Sequence, residues 1–385
     1  MVMNAIYLDN AATTRLCAEA YGEMAPFLEA RFGNPSAQYA TGRDARAAVG
    51  AARKRVAAAL NCEPGEVYFT SGGTESDNWA LIGAAFANRD RGRHILSSAV
   101  EHPAVLMTLE WLQKQGFEVT LLPADGLGRV RAEQVRSAIR EDTILVSVMA
   151  ANNEIGTLQP VADIGRAARE RGVLFHTDAV QAVGAVPVDV KAWNADLLSL
   201  SAHKFHGPKG AGALYIRKGA RVEAMMRGGA QEGGRRAGTE NVAGIAGLGA
   251  AIRRAAEHQA ANAARVGALR DRLWAGIQDA VPGVALNGDP VNRLPNNLHL
   301  SIPGVEDEPL LLRLDLAGVA ASSGSACASG SPEFSHVLRA IGKAQKTAGG
   351  SLRLTLSETT TEAEIQEVLR ILPPVVSSLR EAAGK

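Results

Sequence analysis

Val173-Leu174-Phe175-His176-Thr177-Asp178, and further on Leu197-Leu198-Ser199-Leu200-Ser201 with Ala202-His203-Lys204 behind it, are the stretches whose reading decides the fold. Each is a short apolar run that ends on polar, chemically capable residues. Runs apolar on both faces read as strands buried inside a sheet. Working outward, similar runs stand at His94–Ser98, Glu118–Leu122, Ile144–Met149 and Ala213–Ile216. Helical stretches at Pro103–Gln115, Arg131–Ile139 and Val161–Arg171 lie between most of them. That alternation predicts an α/β fold with a mostly parallel sheet covered on both faces. Only the Gly207–Gly212 turn region separates the last two runs, so they are expected to pair antiparallel. Upstream, Ala45–Leu60 and Glu75–Ala87 read as helices around a short strand at Glu66–Thr70.

Downstream the pattern changes. Val242–Val281 is rich in Ala, Leu, Arg and Glu and lacks proline, which predicts a long helix with at most one break. After Pro282, strands are expected at Asn297–Ile302, Val319–Ser322 and Leu352–Leu356, and helices at Glu308–Leu316 and Glu362–Leu379. This describes a smaller α+β domain. The expected division is a large domain over 16–259 and a small one over 1–15 and 260–385. The leading segment Ile6–Asp9 is expected to pack against one of the two.

Composition narrows the function classes. The 385 residues suffice for two domains, and 41 Lys+Arg against 40 Asp+Glu leave no field that would draw in nucleic acid or a membrane surface. Aromatics make up 4%, too few for base-stacking platforms. No apolar run approaches membrane-spanning length, and Met1–Asp9 lacks a secretion-type leader pattern. The three cysteines, Cys17, Cys62 and Cys327, stand far apart, which argues against a disulfide framework or structural zinc. A reduced, cytoplasmic setting is expected.

The chemistry concentrates after the strands. Lys204, beside His203 and ahead of Gly207-Pro208, suits an amine that forms a Schiff base with an aldehyde cofactor. Alone it reads more readily as a surface loop lysine. Asp178 ends a strand, where ligands bind in open α/β sheets, and a carboxylate there can keep a pyridine nitrogen protonated. Its plain alternative is a helix cap. Gln181 follows at a distance suited to a phenolic oxygen. Ser71-Gly72-Gly73-Thr74 joins a strand to a helix and can cradle a phosphate, or serve as a simple turn. His102, ahead of Pro103, stands at a helix start and can stack on a ring and carry protons. Asn152-Asn153-Glu154 follows another strand. Cys327 lies in Ala321–Ser331, a stretch of small residues unlike a packed core, so it reads as a nucleophile on an expectedly mobile loop. Cys17 and Cys62 read as ordinary packing residues.

These residues sit within longer motifs: Tyr7–Thr14 (YLDNAATT), Phe32–Ser36 (FGNPS), Thr70–Asn78 (TSGGTESDN), Glu101–Val105 (EHPAV), Asn152–Thr157 (NNEIGT), His176–Gly184 (HTDAVQAVG), Arg235–Asn241 (RRAGTEN) and Ser322–Ser331 (SSGSACASGS). With them the whole chain resembles cysteine desulfurases of the NifS/IscS type, in the aminotransferase class V group of fold-type I pyridoxal-phosphate enzymes. HTDAVQAVG, RRAGTEN and Leu294–Asn297 resemble the nitrogen-fixation branch more closely. The resemblance implies pyridoxal 5'-phosphate on Lys204, with Asp178 at the pyridine nitrogen, Gln181 at the phenolic oxygen and His102 over the ring. It implies phosphate contacts from Gly73, Thr74, Ser201 and His203, and from Thr239 of the other subunit of a homodimer. Asn153 would meet cofactor and substrate, and Arg353, assisted by Asn34, the substrate carboxylate. Cys327 would take sulfur from L-cysteine as a persulfide and deliver it to an iron–sulfur scaffold protein, with a transient iron–sulfur contact through that persulfide.

The chain departs from the family pattern at Ala230, Gly233, Gly349-Gly350 and Ser357-Glu358-Thr359. A selenocysteine lyase or another pyridoxal enzyme of the aminotransferase class is the near alternative. A non-catalytic scaffold or redox protein displaying Cys327 is the distant one.

Overall fold

The computed structural model describes residues 6–324, 334–343 and 350–384. In chain order its first elements are β1 (Ile6–Tyr7), α1 (Ala18–Leu28), α2 (Ala40–Leu60), β2 (Val67–Thr70), α3 (Gly73–Asn88), β3 (His94–Ser98) and α4 (Pro103–Lys114). They continue with β4 (Glu118–Leu122), α5 (Ala132–Ala138), β5 (Thr143–Ser147), α6 (Val161–Glu170), β6 (Leu174–Asp178), β7 (Leu197–Ser201), β8 (Gly212–Ile216) and α7 (Val242–Ala280).

Seven strands form one sheet in the order β2-β8-β7-β6-β5-β3-β4. All run parallel except β8, which opposes both β7 and β2. The antiparallel pairing expected from the short Gly207–Gly212 connection is therefore present. Every position of β3, β5, β6, β7 and β8 is buried, while the edge strand β4 exposes Glu118, Thr120 and Leu121. The buried polar members pair across strands: Ser97 Oγ donates to Ser147 O at 2.8 Å, and His176 bridges Ser147 Oγ (2.8 Å) and Ser199 Oγ (3.0 Å). Left unpaired, such groups would oppose burial.

Helices cover both faces. Trp79, Leu81 and Leu109 from α3 and α4 pack on Ile95, Leu145 and Leu214 on one side. Val49 and Val56 of α2, Ile164 of α6 and Leu248 of α7 pack on Leu96, Phe175 and Leu200 on the other. Because the chain runs from β3 out to β4 and back to β5 on β3's other side, the loops after β3, β5, β6 and β7 open along one edge. Such a reversal is where open α/β sheets place ligands.

The helix α7 is unbroken over its 39 residues, where one break was allowed for. Its two halves are held by different cores. Ile245, Leu248 and Ile252 belong to the sheet's core, while Val266, Leu269, Leu273 and Ile277 join a second core. That second core is built on β9 (Ala285–Leu286), β10 (Asn297–Ile302), α8 (Asp307–Leu316), β11 (Val319–Ala320), α9 (His336–Ala340), β12 (Gly350–Thr355) and α10 (Glu362–Ala382). Strands β12, β10 and β9 form an antiparallel sheet, and β1 pairs parallel with β11. The chain start is thus stitched to its C-terminal part: Leu8 N donates to Ala320 O and Thr355 N to Leu8 O.

Several elements differ from the sequence reading in extent, and β9 and α9 were not read there; two of the differences have a local cause. Helix α2 starts at Ala40 rather than Ala45. Gly42 lies within its first turn, where a Cβ would stand 2.6 Å from Ala37 O, so the glycine serves a close loop crossing rather than breaking the helix. Strand β5 stops at Ser147, where the chain parts from β3: Met149 N turns to Glu101 Oε1 at 2.9 Å, while Val148 N and Ala150 N still donate to His176 O and Asp178 O of β6.

Candidate active site

A cavity of about 300 Å³ lies at the carboxyl ends of the parallel strands. Gly73, Thr74, His102, Asn153, Asp178, Gln181, Ser201, His203, Lys204 and Arg353, ten positions singled out in the sequence, all line it. Thr239 and Asn34 do not. Both are exposed, and Asn34 Oδ1 accepts from Ser36 N in its own loop at 2.9 Å. Cys327 lies outside the described residues.

Lys204 ends the short 3-10 turn that follows β7, and its Nζ donates to Ala11 O (2.5 Å) and Ala12 O (2.9 Å). Gln181 Nε2 also donates to Ala11 O, at 3.0 Å. The wall formed by Ala11 and Ala12 is itself anchored on β12, with Asn10 Nδ2 on Thr355 O and Ala11 N on Thr355 Oγ1, both at 2.8 Å. The sequence reading assigned nothing to Ala11 or Ala12. The charged Asp9 and the polar run after it were the available signal, but the contact is made by backbone carbonyls that carry no side-chain signature.

Asp178 closes β6, buried to 5% exposure, and its Oδ1 accepts from Val180 N at 2.9 Å. Burial raises its pKa, opposed by the nearby His102 and Lys204. Asp77 of α3 faces the same cavity and was missed as well. Its Oδ1 is buried without a hydrogen-bond partner among the described residues. Burial, and then the charge of Asp178, push the Asp77 carboxyl well above the usual range. Its neighbour His176, with Nε2 at 3.6 Å, is pushed down to about 3 by burial. Burial favours the neutral form of both, which weighs against an ion pair here, and of the two carboxyls it is Asp178 that has His102 and Lys204 beside it.

His102 caps α4 through Nδ1, which accepts from Ala104 N at 3.1 Å, and Pro103 follows in the first turn as expected. Burial lowers its pKa, and Asp178 opposes this. A ring with Nδ1 as acceptor carries its proton on Nε2. His203 Nδ1 lies 3.1 Å from Thr13 Oγ1, and burial pushes this imidazole down to about 4.

Helix α3 begins at Gly73, at the cavity wall. A Cβ there would lie 2.6 Å from Val180 Cγ2, so glycine alone permits this approach. Its first turn presents backbone N–H groups and the positive end of the helix dipole to an anion. Glu75 in the same turn is held by Arg236 at 2.8 and 3.0 Å. Burial works to raise its pKa, but the bonds from Arg236 and Ser71 keep it below the usual value. Arg353 is 3% exposed; its Nη1 donates to Asn153 O at 3.0 Å, and its Nε has no hydrogen-bond partner among the described residues.

These residues fit pyridoxal phosphate. An amine, a carboxylate at a strand end and an anion-binding helix start share one cavity of the size usual for such ligands. Among the described residues no cluster of three or more His, Cys, Asp or Glu side chains is set to hold a metal ion, and no helix is long and apolar enough to cross a membrane.

The model of the aminotransferase class-V family matches residues 6–368. Cysteine desulfurase IscS of Methanosarcina thermophila is 53% identical over 98% of this chain and 93% of its own length. Cysteine desulfurase NifS of Azotobacter vinelandii is 47% identical over 98% and 94%. Among solved structures, a NifS-like protein superposes with a TM-score of 0.92 at 38% identity, covering 97% of this chain and all of its own. SspA in complex with cysteine gives 0.81 at 35% identity, covering 92% of this chain and all of that one. The family match spans both cores, and the structural likeness extends over the sheet edge that carries the cavity. The chain belongs to the aminotransferase class-V family.

Proposed function

We propose that this chain is a cysteine desulfurase that uses pyridoxal phosphate to move sulfur from L-cysteine onto Cys327 for iron–sulfur cluster assembly. The observation that carries the reading is the convergence of Lys204, Asp178, Arg353 and the start of α3 on one cavity, in a chain 53% identical to a relative named cysteine desulfurase. When bound, the cofactor supplies an electron sink for charge developing at the substrate α-carbon. Lys204 would hold the cofactor through its aldehyde and, as a free amine, would move protons at the substrate α-carbon. Asp178 would keep the pyridine nitrogen protonated, and Gln181 and His102 would hold the phenolic oxygen and the ring. Gly73, Thr74, Ser201 and His203 would hold the phosphate, joined by Thr239 of the partner subunit. Arg353, with Asn153 and Asn34, orients the substrate carboxylate.

Cys327 then attacks the substrate sulfur as a thiolate. An S–S bond forms, the substrate C–S bond breaks, and the electron pair left on carbon takes up a proton. The products are alanine and a Cys327 persulfide. A free thiol titrates at about 8.5, so the attack needs a proton acceptor nearby.

A homodimer agrees with Thr239 being exposed and away from its own chain's cavity, and with the exposed apolar side chains Tyr21, Leu28, Phe32 and Tyr39. The division into 16–259 against 1–15 with 260–385 agrees with the two cores that α7 joins. A cytoplasmic site and a scaffold acceptor complete the reading; a nitrogenase destination rests on the likeness of three motifs alone.

The test is to load the protein with pyridoxal phosphate, record the visible band that borohydride removes, and follow alanine and sulfide from L-cysteine. C327A should keep the band and lose sulfide release. Turnover of C327A at the parent rate would assign the chain to another pyridoxal-dependent activity, and a protein that never takes up the cofactor would end the proposal.

A further inference from the structure

Ser357-Glu358-Thr359 is a stretch where the chain departs from the family pattern, and the chemistry above gives it no task. Glu358 is partly buried, and its carboxylate is gripped from α7. Oε1 accepts from Arg254 Nη1, and Oε2 accepts from Asn262 Nδ2 at 2.8 Å. Arg265, further along the same helix, donates through Nη2 to Glu358 O and through Nη1 to Thr360 O at 2.9 Å. These three residues of α7 stand between Ile252, in the sheet's core, and Val266, in the second core.

Glu358 Oε1 also lies 3.8 Å from His206 Nε2. His206 closely follows Lys204 and holds a left-handed backbone, with φ 65°, which a non-glycine residue keeps only where its neighbours fix it. Here Thr14 Oγ1 accepts from His206 N at 2.8 Å, and Arg15 O accepts from His206 Nδ1 at 2.9 Å. Thr14 N in turn donates to His203 O at 2.9 Å. A second cavity, of about 70 Å³, has Thr14, Lys204, His206, Arg254, Asn262 and Glu358 in its wall. On its other side Glu358 follows β12, the strand that carries Arg353. One carboxylate is thus where the segment behind Arg353, the middle of α7 and the turn of Lys204 meet. An amino acid in the first cavity has to bring its amine to the Lys204 side and its carboxylate to Arg353, so the span between those side chains decides whether both ends fit.

We infer that Glu358 is a positioning residue that fixes the span between Arg353 and Lys204. The inference rests on the roles proposed for those two residues, and its test separates the two failures. Two aminooxy compounds capture the cofactor aldehyde from Lys204: aminooxyacetate carries a carboxylate, and methoxyamine carries none. Loss of the visible band gives the rate of each without turnover. In the cofactor-loaded parent, aminooxyacetate should react faster by about tenfold or more, and in R353A the two rates should be close. E358A should cut the aminooxyacetate advantage about fivefold or more while the methoxyamine rate stays within about twofold of the parent. KM for L-cysteine should rise about tenfold in the same variant. R254A removes the other half of the contact and should act as E358A does, with the double variant no worse than either. An advantage kept in E358A but lost in R353A overturns the inference and leaves the proposed function standing. An advantage absent from the parent, or unchanged in R353A, removes Arg353 from carboxylate binding and the inference with it. A methoxyamine rate that falls as far as the aminooxyacetate rate shows general damage to the site and also overturns it, as do additive losses in the double variant.

Discussion

Arg353 Nη2 donates to Asp9 Oδ1 at 2.9 Å, so a guanidinium on β12 is aimed into the cavity by a carboxylate from the opposite end of the chain. The pair also explains why the chain start is drawn under the C-terminal strand. With Nη1 on Asn153 O and Nε without a hydrogen-bond partner among the described residues, the fork is oriented before any substrate arrives. R353K removes the planar fork and a charge-assisted bond of about 1.5–3 kcal/mol, and should raise KM for L-cysteine about ten- to hundredfold. D9N should shift KM the same way by less, with the cofactor band unaltered. Steady-state kinetics decides it; an R353K enzyme with the parent KM removes Arg353 from substrate binding.

The two neighbouring carboxyls of the cavity should respond differently to amide replacement. Burial and the charge of Asp178 favour the protonated form of Asp77, so D77N should change its charge little and keep its shape. It should bind the cofactor and turn over within about threefold of the parent. D178N removes the negative charge itself and should cut activity about a hundredfold or more. If D77N is hurt as badly as D178N, the assignment of charge between them is reversed.

Glu101 gives a stability signature against pH. Fully buried, it accepts from Ser98 Oγ at 2.5 Å and Met149 N at 2.9 Å, and burial raises its pKa from 4.5 to about 8. The folded state keeps this proton where the unfolded chain has released it. Its contribution is therefore complete below pH 4.5 and is lost as pH rises toward 8. The Tm of E101Q relative to the parent should climb steadily between those limits. A difference that stays constant with pH would show Glu101 ionised throughout.

At the start of α3, G73A places a methyl 2.6 Å from Val180 Cγ2. Relieving that overlap costs about 1–3 kcal/mol and moves the first turn off the anion, which corresponds to about a ten- to hundredfold weaker cofactor Kd. Fluorescence or absorbance titration measures it. Unchanged affinity would place the phosphate elsewhere.

Much of this molecule was legible in its one-dimensional order. Strands β3, β7 and β10 lie at the expected residues, because fully buried strands need mostly apolar runs and turns punctuate them, and the edge strand β4 also lies where expected. Nine of the ten cavity-lining residues stand at or after strand ends of the large sheet, which gather along one edge, whereas Arg353, within β12, was implied only by the family resemblance. Polar side chains at such ends advertise themselves.

What sequence order alone did not determine were contacts between distant parts made by mute or hidden groups. The Ala11 and Ala12 carbonyls on Lys204, the approach of Asp77 to Asp178 and the Asp9–Arg353 pair all join residues far apart in the chain. Periodicity records which face of an element is buried, and it is silent on which remote backbone atom comes to lie against that face. Protonation states follow from burial and neighbouring charge, quantities that exist only once the chain has folded.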